Sequence, residues 1–152
     1  MTDKDRLFME VALEEADLAV IHGDVPIGAV CVYENEVISR RHNEKELQRD
    51  PLAHAEYLAI SDAIKALGTM YLSEVTLYST LEPCPMCAGA LVLARCDRLV
   101  FGAFDPKAGA ASTLYNLCCD PRLNFEVEVT SGVLEQSCAE KLSTFFLKLR
   151  SS

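Results

Sequence analysis

The sequence predicts an α/β domain built around a mixed β-sheet, and three observations lead to this prediction. The chain opens with an amphipathic helical pattern, two β-branched apolar runs then form a hairpin, and helical and strand-like segments alternate to the end. A hairpin supplies antiparallel strands and alternation supplies parallel ones. With 152 residues, 50% of them hydrophobic, and no repeat or flexible linker, we expect a single domain over residues 1–152.

The first segments predict a helix followed by a hairpin. Residues 3–22 carry an apolar stripe with acidic residues opposite it, and Gly23 ends the pattern. Residues 27–33 and 37–40 are apolar runs rich in β-branched residues, which favour strands. The polar residues 34–36 between them indicate the turn.

A second helix is predicted from Asp50, acting as N-cap, to Leu67, with Pro51 at the first helical position and Gly68 as the stop. The remaining segments alternate between strand and helix patterns. They are a strand at 75–80, a helix from Pro83 or Pro85 to 94, a strand at 98–102, a short helix at 113–117, a strand at 125–130 and a final helix at 133–149.

The charge is unevenly distributed along the chain. A net charge of −9 and a pI of about 4.8 argue against a nucleic-acid partner, because phosphate binding needs a basic face. Residues 1–24 account for −5 of this charge and the rest of the chain for only −4. A basic cluster near the middle is either a nucleic-acid contact or an ordinary solvated loop. Its members are Arg40, Arg41, Lys45 and Arg49.

The seven cysteines are odd in number and irregularly spaced, which is typical of reduced thiols. The chain shows no signal-peptide pattern and no apolar run of about 18 residues, so we expect a cytoplasmic protein that does not enter a membrane. Cys31 and Cys96 lie in apolar runs and are predicted to pack in the core.

Two short motifs carry the chemistry. His54-Ala55-Glu56 supplies an imidazole and a carboxylate, and the segment 83–87 supplies the thiols of Cys84 and Cys87. Three ligands with an open fourth position are typical of catalytic rather than structural zinc, so His54, Cys84 and Cys87 are predicted metal ligands. Glu56 is then a predicted proton carrier, and H-x-E with P-C-x-x-C is typical of zinc deaminases that act on nucleobases.

Both motifs fall near predicted helix starts. His54 would lie in the first turn of one helix, and Cys84 and Cys87 would share a face of the next. The positive end of the helix dipole favours the thiolates that bind metal. His54 and Glu56 are two residues apart and would lie on opposite sides of a regular helix. We therefore expect the metal to lie off the helix end, where both side chains can reach it.

The segments around these motifs resemble the cytidine/deoxycytidylate deaminase superfamily. They are residues 25–30, Asn43, 50–51, 54–56, 81–90 and 101–103. Residues 105–111 and Phe145-Phe146 are similar, more narrowly, to the bacterial tRNA-specific adenosine deaminases. The resemblance covers nearly the whole chain, and it implies a three-layer α/β/α cytidine-deaminase-like fold with a central mixed five-stranded sheet.

The resemblance implies zinc-dependent hydrolytic deamination of adenosine to inosine at the wobble position of a tRNA anticodon. His54, Cys84 and Cys87 would hold one zinc ion per subunit to activate water, and Glu56 would carry protons to the ring nitrogen and the leaving amine. The resemblance also implies substrate contacts. These come from Asn43, the backbone of Ala55, Val25, Pro26, Asp105 and Lys107.

The implied partners are the anticodon arm of tRNA and a second copy of the chain. Residues 88–94 form a helix that is apolar all round and should be buried on every side, under either a second subunit or the chain's own terminal helix. Two features depart from the family. Phe104 stands where a basic residue is common and would stack on a base or pack internally, and residues 145–152 are less basic than a typical family tail.

Two other functions fit the same residues. A deaminase of a free nucleobase or nucleoside, such as guanine or cytosine/cytidine, is favoured by the acidic charge and disfavoured by the segment 105–111. A non-catalytic, zinc-stabilised binding module would require a fourth protein ligand and would have no need of Glu56.

Overall fold

The computed structural model describes residues 2–151. The single domain over residues 1–152 stays a prediction, and residues 1 and 152 lie outside the described part. The elements are α1 (Asp3–Ile21), β1 (Gly28–Tyr33), β2 (Glu36–His42), α2 (Lys45–Gln48), α3 (Ala55–Leu67), β3 (Thr76–Leu81), α4 (Pro85–Leu93), β4 (Arg98–Ala103), β5 (Glu128–Thr130) and α5 (Glu135–Ser151). None of the helices in this described part combines the length and apolar character that a membrane crossing requires.

The five strands form one mixed sheet in the order β2-β1-β3-β4-β5. β1 pairs antiparallel with β2 and β3, while β3–β4 and β4–β5 are parallel. The β1–β2 hairpin closes through Glu34 and Asn35, whose φ angles of 50° and 64° are those of a type I′ turn. The predicted mixed five-stranded sheet is confirmed.

Helices cover both faces of the sheet. Successive residues of a strand point to opposite faces, so Leu77 and Leu99 pack in the core under α3 and α4. Their neighbours Tyr78 and Val100 pack with α1 and with Cys138 of α5. The predicted three-layer α/β/α arrangement is confirmed. Cys31 and Cys96 are buried in the first of these cores, as predicted.

The start of α3 differs from the prediction. Asp50 does not cap the helix, because its Oδ1 accepts a hydrogen bond from the Leu52 N–H at 2.9 Å and closes a turn instead. The helix begins at Ala55, and His54 is its N-cap with extended backbone (φ −80°, ψ 145°). The predicted C-terminal stop at Gly68, with φ of 67°, is confirmed.

Two further elements were predicted wrongly. Residues 113–117 form no helix but turns beside an isolated bridge between Ala111 and Asn116. The N–H groups of Leu114 and Tyr115 donate to the Gly109 carbonyl, and that of Leu117 donates to the Ala110 carbonyl, so the segment folds back on residues 109–110 and does not form the bonds of an α-helix. The strand predicted at 125–130 is limited to Glu128–Thr130, which pairs only with the first three residues of β4.

α4 is not buried on every side. Leu91 is fully buried against the sheet, but Leu93 is 80% exposed. α5 packs against β3 and β4 in the opposite layer, so the chain's own terminal helix does not cover α4. Of the two covers predicted for this helix, the chain's own terminal helix is therefore wrong, and a second subunit stays a prediction.

Candidate active site

The three predicted metal ligands meet between the N-termini of α3 and α4. His54 is the N-cap of α3, Cys84 is the N-cap of α4, and Cys87 lies in the first turn of α4. The Nδ1 atom of His54 lies 3.5 Å from Cys84 Sγ and 3.6 Å from Cys87 Sγ. Because β3 leads directly into α4, a central strand of the sheet positions both sulfurs.

These distances fit a tetrahedral zinc ion. Zn–N bonds of about 2.0–2.1 Å and Zn–S bonds of about 2.3 Å at tetrahedral angles place nitrogen and sulfur about 3.5 Å apart. All three ligand atoms lie within 4.8 Å of one another, and residues 2–151 offer no fourth His, Cys, Asp or Glu to this group. The cluster therefore matches an open catalytic site better than the closed shell of a structural module.

The two sulfurs are electronically unequal. The pKa of Cys84 is lowered to about 4, mainly because its sulfur is hydrogen-bonded by Cys87 and, more weakly, by His54. The pKa of Cys87 is raised, because its thiol is engaged with Cys84 and is buried. Before metal binds, the pair thus holds one thiolate at a helix N-terminus, which is the ligand form that zinc requires.

Glu56 lies beside this cluster at the second position of α3, and it is 4% exposed. Burial raises the pKa of its carboxyl group to about 7, and interaction with His54 opposes the shift. No side chain of residues 2–151 donates a hydrogen bond to it. Since His54 precedes the helix, the two-residue spacing does not separate the imidazole from the carboxylate. A carboxyl group that titrates near neutrality suits proton transfer.

Asn43 and Ala55, two of the predicted substrate-binding residues, are hydrogen-bonded to each other. It is buried, and its Oδ1 accepts a hydrogen bond from the Ala55 N–H at 2.9 Å. Its own N–H donates to the Ile27 carbonyl at 3.1 Å. Asn43 thus links the start of α3 to the strand region, and the Ala55 N–H is engaged within the chain.

Val25 and Pro26 line two grooves beside α5. Val25 lines a groove of about 400 Å³ beside Lys45 and Phe145, and Pro26 lines one of about 610 Å³ between α1 and α5. Neither groove includes a predicted metal ligand. Their contact with substrate stays a prediction.

Asp105 and Lys107 occupy one turn after β4. The Asp105 Oδ1 accepts hydrogen bonds from the N–H groups of Lys107 and Ala108, at 3.0 and 3.2 Å. The Asp105 carboxylate is near enough to Glu56 to contribute to the raised pKa of that residue. The Lys107 side chain is exposed and lines a groove with Phe146 and Arg150 of α5. The turn therefore connects the metal-ligand cluster to α5.

Phe104, which precedes this turn, is partly packed. Its ring meets Phe101 edge-on, with ring centroids 5.1 Å apart, while 39% of the residue stays exposed. Phe104 therefore packs internally, as one of its two predicted roles requires, while part of the residue stays exposed.

Sequence reasoning missed Glu82. This residue is 1% exposed, and its carboxylate accepts hydrogen bonds from the backbone of Asp105, Ala111 and Thr113. Burial raises the pKa of Glu82, but these bonds, led by those from Thr113, outweigh it and lower the pKa. The signal that the sequence offered was the position of this carboxylate, just after a predicted strand and directly before the Pro83-Cys84 motif.

The basic cluster divides into two parts. Arg40 pairs with Glu15 at 2.7 Å, and Arg41 pairs with Asp62 at 2.9 Å. These two residues therefore stabilise the fold. Lys45 lies near enough to His54 to affect its pKa and has no ion-pair partner in the described part of the chain.

Comparison with known proteins identifies relatives over nearly the whole length. A family model described as MafB19-like deaminase matches residues 2–150. The tRNA-specific adenosine deaminase of Bacillus subtilis (strain 168) is 54% identical over 147 residues, which cover 97% of this chain and 91% of that protein. The corresponding protein of Aquifex aeolicus (strain VF5) is 47% identical over 145 residues, 95% of each chain.

Solved structures agree with these relatives. A chain from work on A-to-I editing by tRNA:A34 deaminases at the wobble position of transfer RNA superposes with a TM-score of 0.86 at 44% identity, covering 90% of this chain and 99% of that one. A guanine deaminase from Bacillus subtilis gives a TM-score of 0.65 at 28% identity, covering 100% and 96%. The chain belongs to the MafB19-like deaminase family, in the group that contains the bacterial tRNA-specific adenosine deaminases.

Proposed function

We propose that this protein catalyses the zinc-dependent hydrolytic deamination of adenosine to inosine at the wobble position of a tRNA anticodon. The observation that carries the proposal is 54% identity, over nearly the full length, to a tRNA-specific adenosine deaminase. Identity to the guanine deaminase of known structure is only 28%. The cluster of His54, Cys84 and Cys87 with Glu56 beside it supplies residues suited to this chemistry.

The reaction consumes adenosine and water and yields inosine and ammonia. His54 Nδ1 and the sulfurs of Cys84 and Cys87 would hold the zinc ion, which as a Lewis acid lowers the pKa of water from 15.7 to about 7. Glu56 takes one proton from water and passes it to the ring nitrogen of adenine, while the water oxygen bonds to the ring carbon that carries the amino group. Glu56 then takes the second proton from that new hydroxyl group and delivers it to the amino group, so that the C–N bond breaks, the C=O bond of inosine forms and ammonia leaves. Its raised pKa lets one carboxyl group serve both steps.

An RNA substrate is compatible with the net negative charge because the charges are segregated. Several acidic residues of α1 are paired within the chain, with Glu15 binding Arg40 and Asp17 binding Lys141. Four basic side chains along the grooves beside α5 form no ion pair within residues 2–151. They are Lys45, Lys107, Lys148 and Arg150. These groups are suited to bind phosphates of an anticodon arm, and a tRNA substrate would place the enzyme in the cytoplasm.

We test the substrate by comparing an anticodon stem-loop carrying adenosine at the wobble position with free adenosine, guanine, cytosine and cytidine. Turnover of the stem-loop, read as inosine by sequencing, is expected, with little reaction of the free compounds. A stem-loop with guanosine at the wobble position is the matched control. Turnover of free guanine or cytosine with no reaction of the stem-loop would establish the alternative function.

The proposed assembly is a homodimer that covers α4. Leu93 projects from this helix, and the neighbouring residues Met70 and Tyr71 are exposed beside the Arg95 side chain, which lies 4.7 Å from the Tyr71 ring. An apolar helix face next to exposed apolar loop residues is typical of a subunit interface.

The dimer is tested with Leu93→Glu by light scattering after size-exclusion chromatography. Because Leu93 is exposed in the single chain, the substitution should give folded monomers. Ile21→Glu on α1 is the matched control, since Ile21 is also 80% exposed. A wild-type chain that is monomeric at micromolar concentration would contradict the proposal.

A further inference from the structure

The Glu82 carboxylate is hydrogen-bonded to several groups of residues 105–113, the recognition loop. Its Oε1 accepts the Asp105 N–H at 3.0 Å and the Thr113 hydroxyl. Its Oε2 accepts the N–H groups of Ala111 at 3.2 Å and Thr113 at 2.8 Å. One buried side chain therefore binds both ends of the loop.

The loop is fitted around this side chain. A Cβ atom at Gly109 would collide with the Glu82 carboxylate and would lie 2.6 Å from the Asp105 carbonyl oxygen. The adjacent Pro83 carbonyl accepts the Ala110 N–H at 2.8 Å. Since Pro83 directly precedes Cys84, the loop is joined through Glu82 and Pro83 to the segment that carries the two sulfurs.

A carboxylate is the side chain that this position requires. It offers acceptors on both oxygens and no donor, and three of the four groups that face it are backbone N–H groups that can only donate, while the fourth, the Thr113 hydroxyl, donates here. The isosteric amide of glutamine would direct its NH₂ group at N–H donors and leave some of them without acceptors. The arrangement thus depends on the carboxylate and not merely on a polar side chain of this size.

We propose that Glu82 is a positioning residue that holds the recognition loop against the active site, so that Asp105 and Lys107 are in place to meet the nucleotides that flank the target base. Glu82 itself contacts neither substrate nor metal, and it acts only by holding the recognition loop in place. The inference rests on the proposed function for the identity of the substrate, but the contacts that define it do not.

The kinetic test uses the zinc-loaded Glu82→Gln enzyme with the anticodon stem-loop. Loss of pre-formed binding groups weakens substrate and transition state equally, so KM should rise roughly 10- to 100-fold while kcat stays within about threefold. Asp5→Asn is the matched control, because Asp5 is equally buried and ion-paired to Arg98 beyond the loop. It should lower thermal stability without changing KM. An unchanged KM in Glu82→Gln, or equal changes in both variants, would overturn the proposal.

A second readout does not depend on the substrate. Amide hydrogen exchange at Asp105, Ala111 and Thr113 should accelerate in Glu82→Gln and stay unchanged in Asp5→Asn. Thr113→Val removes one donor and serves if Glu82→Gln does not fold. Unchanged exchange at all three amides would contradict the positioning role. If the wild type fails on the stem-loop, the proposed function fails, and the exchange rates of these three amides alone decide whether Glu82 holds the recognition loop.

A double-mutant cycle tests whether Glu82 acts through the loop. Lys107→Met should raise KM in the wild-type background and have a much smaller effect in the Glu82→Gln background, because the lysine is then already misplaced. Full additivity of the two KM effects would show that Glu82 acts by another route.

Discussion

Glu56 and Glu82 are both buried glutamates near the metal-ligand cluster, yet their surroundings differ. Glu56 is 4% exposed and receives no hydrogen bond from another side chain of residues 2–151, and burial raises its pKa. Glu82 is 1% exposed and accepts four hydrogen bonds from the recognition loop, which lower its pKa. Both side chains are nearly inaccessible to solvent, but Glu56 lies deeper in the protein and lacks hydrogen-bond donors, so desolvation raises its pKa, while the donors around Glu82 keep that group a fixed anion.

This contrast separates two ways to use a buried carboxylate. A group with few donors is destabilised as an anion and exchanges protons easily, at little cost to the fold when it is replaced. A group surrounded by donors orders the chain around it, and its replacement leaves buried donors unsatisfied. Activity and stability should therefore respond in opposite ways to the same Glu→Gln substitution at the two positions.

The largest effect is expected for Glu56→Gln. Removal of the proton carrier should lower kcat about 10³- to 10⁴-fold, while the melting temperature and zinc content stay near the wild-type values. Single-turnover kinetics with the stem-loop, together with metal analysis, measure this. Activity within about tenfold of the wild type would assign the proton transfers to another group.

Gly109→Ala tests how tightly the recognition loop encloses Glu82. The added Cβ would meet the Glu82 carboxylate and the Asp105 backbone, so we expect a loss of about 3 kcal/mol in the free energy of unfolding. Gly89→Ala in α4 is the control, because a Cβ there has nothing within 4 Å. Urea denaturation measures both, and equal stabilities would show that the loop adjusts freely.

Glu82→Gln should lower the free energy of unfolding by about 2 kcal/mol, because the amide leaves buried donors of the loop unpaired. Glu56→Gln should leave it nearly unchanged. Urea denaturation of both variants measures this difference in the free energy of unfolding. Equal losses in the two variants would mean that the hydrogen bonds from the recognition loop add nothing to the cost of replacing a buried glutamate.

Asp5 extends the comparison to a third buried carboxylate, whose effect on stability should depend on pH only in acid. Hydrogen bonding to Arg98 holds its pKa at about 2, below the ordinary 3.8. Between these values the unfolded chain binds more protons, so roughly 2 kcal/mol of stability, fully present above about pH 4, is lost as the pH falls to about 2. In Asp5→Asn this part of the acid dependence should disappear. If the free energies of unfolding of the wild type and Asp5→Asn fall by the same amount between about pH 4 and pH 2, this expectation is contradicted.

Much of the fold could be predicted because local patterns carry it. The periodicity of residues 3–22, the β-branched runs of the hairpin and the Gly68 stop each act within a few neighbouring residues. The start of α3 could not be predicted, because a turn at Asp50 competed with helix capping and moved the N-cap to His54. The helix predicted at 113–117 is absent because most amides of this segment bond to the carbonyls of Gly109 and Ala110, a pairing that local periodicity does not show.

The sequence by itself determined the types and spacing of the proposed metal ligands and most of the strand and helix pattern, since these follow from side-chain chemistry and local periodicity. Only the tertiary structure decided the role of Glu82. Its donors lie 23 to 31 residues away in the chain, and no local pattern records such a pairing. The same holds for the difference between the two glutamates, because a pKa is set by the groups that folding brings within hydrogen-bonding distance.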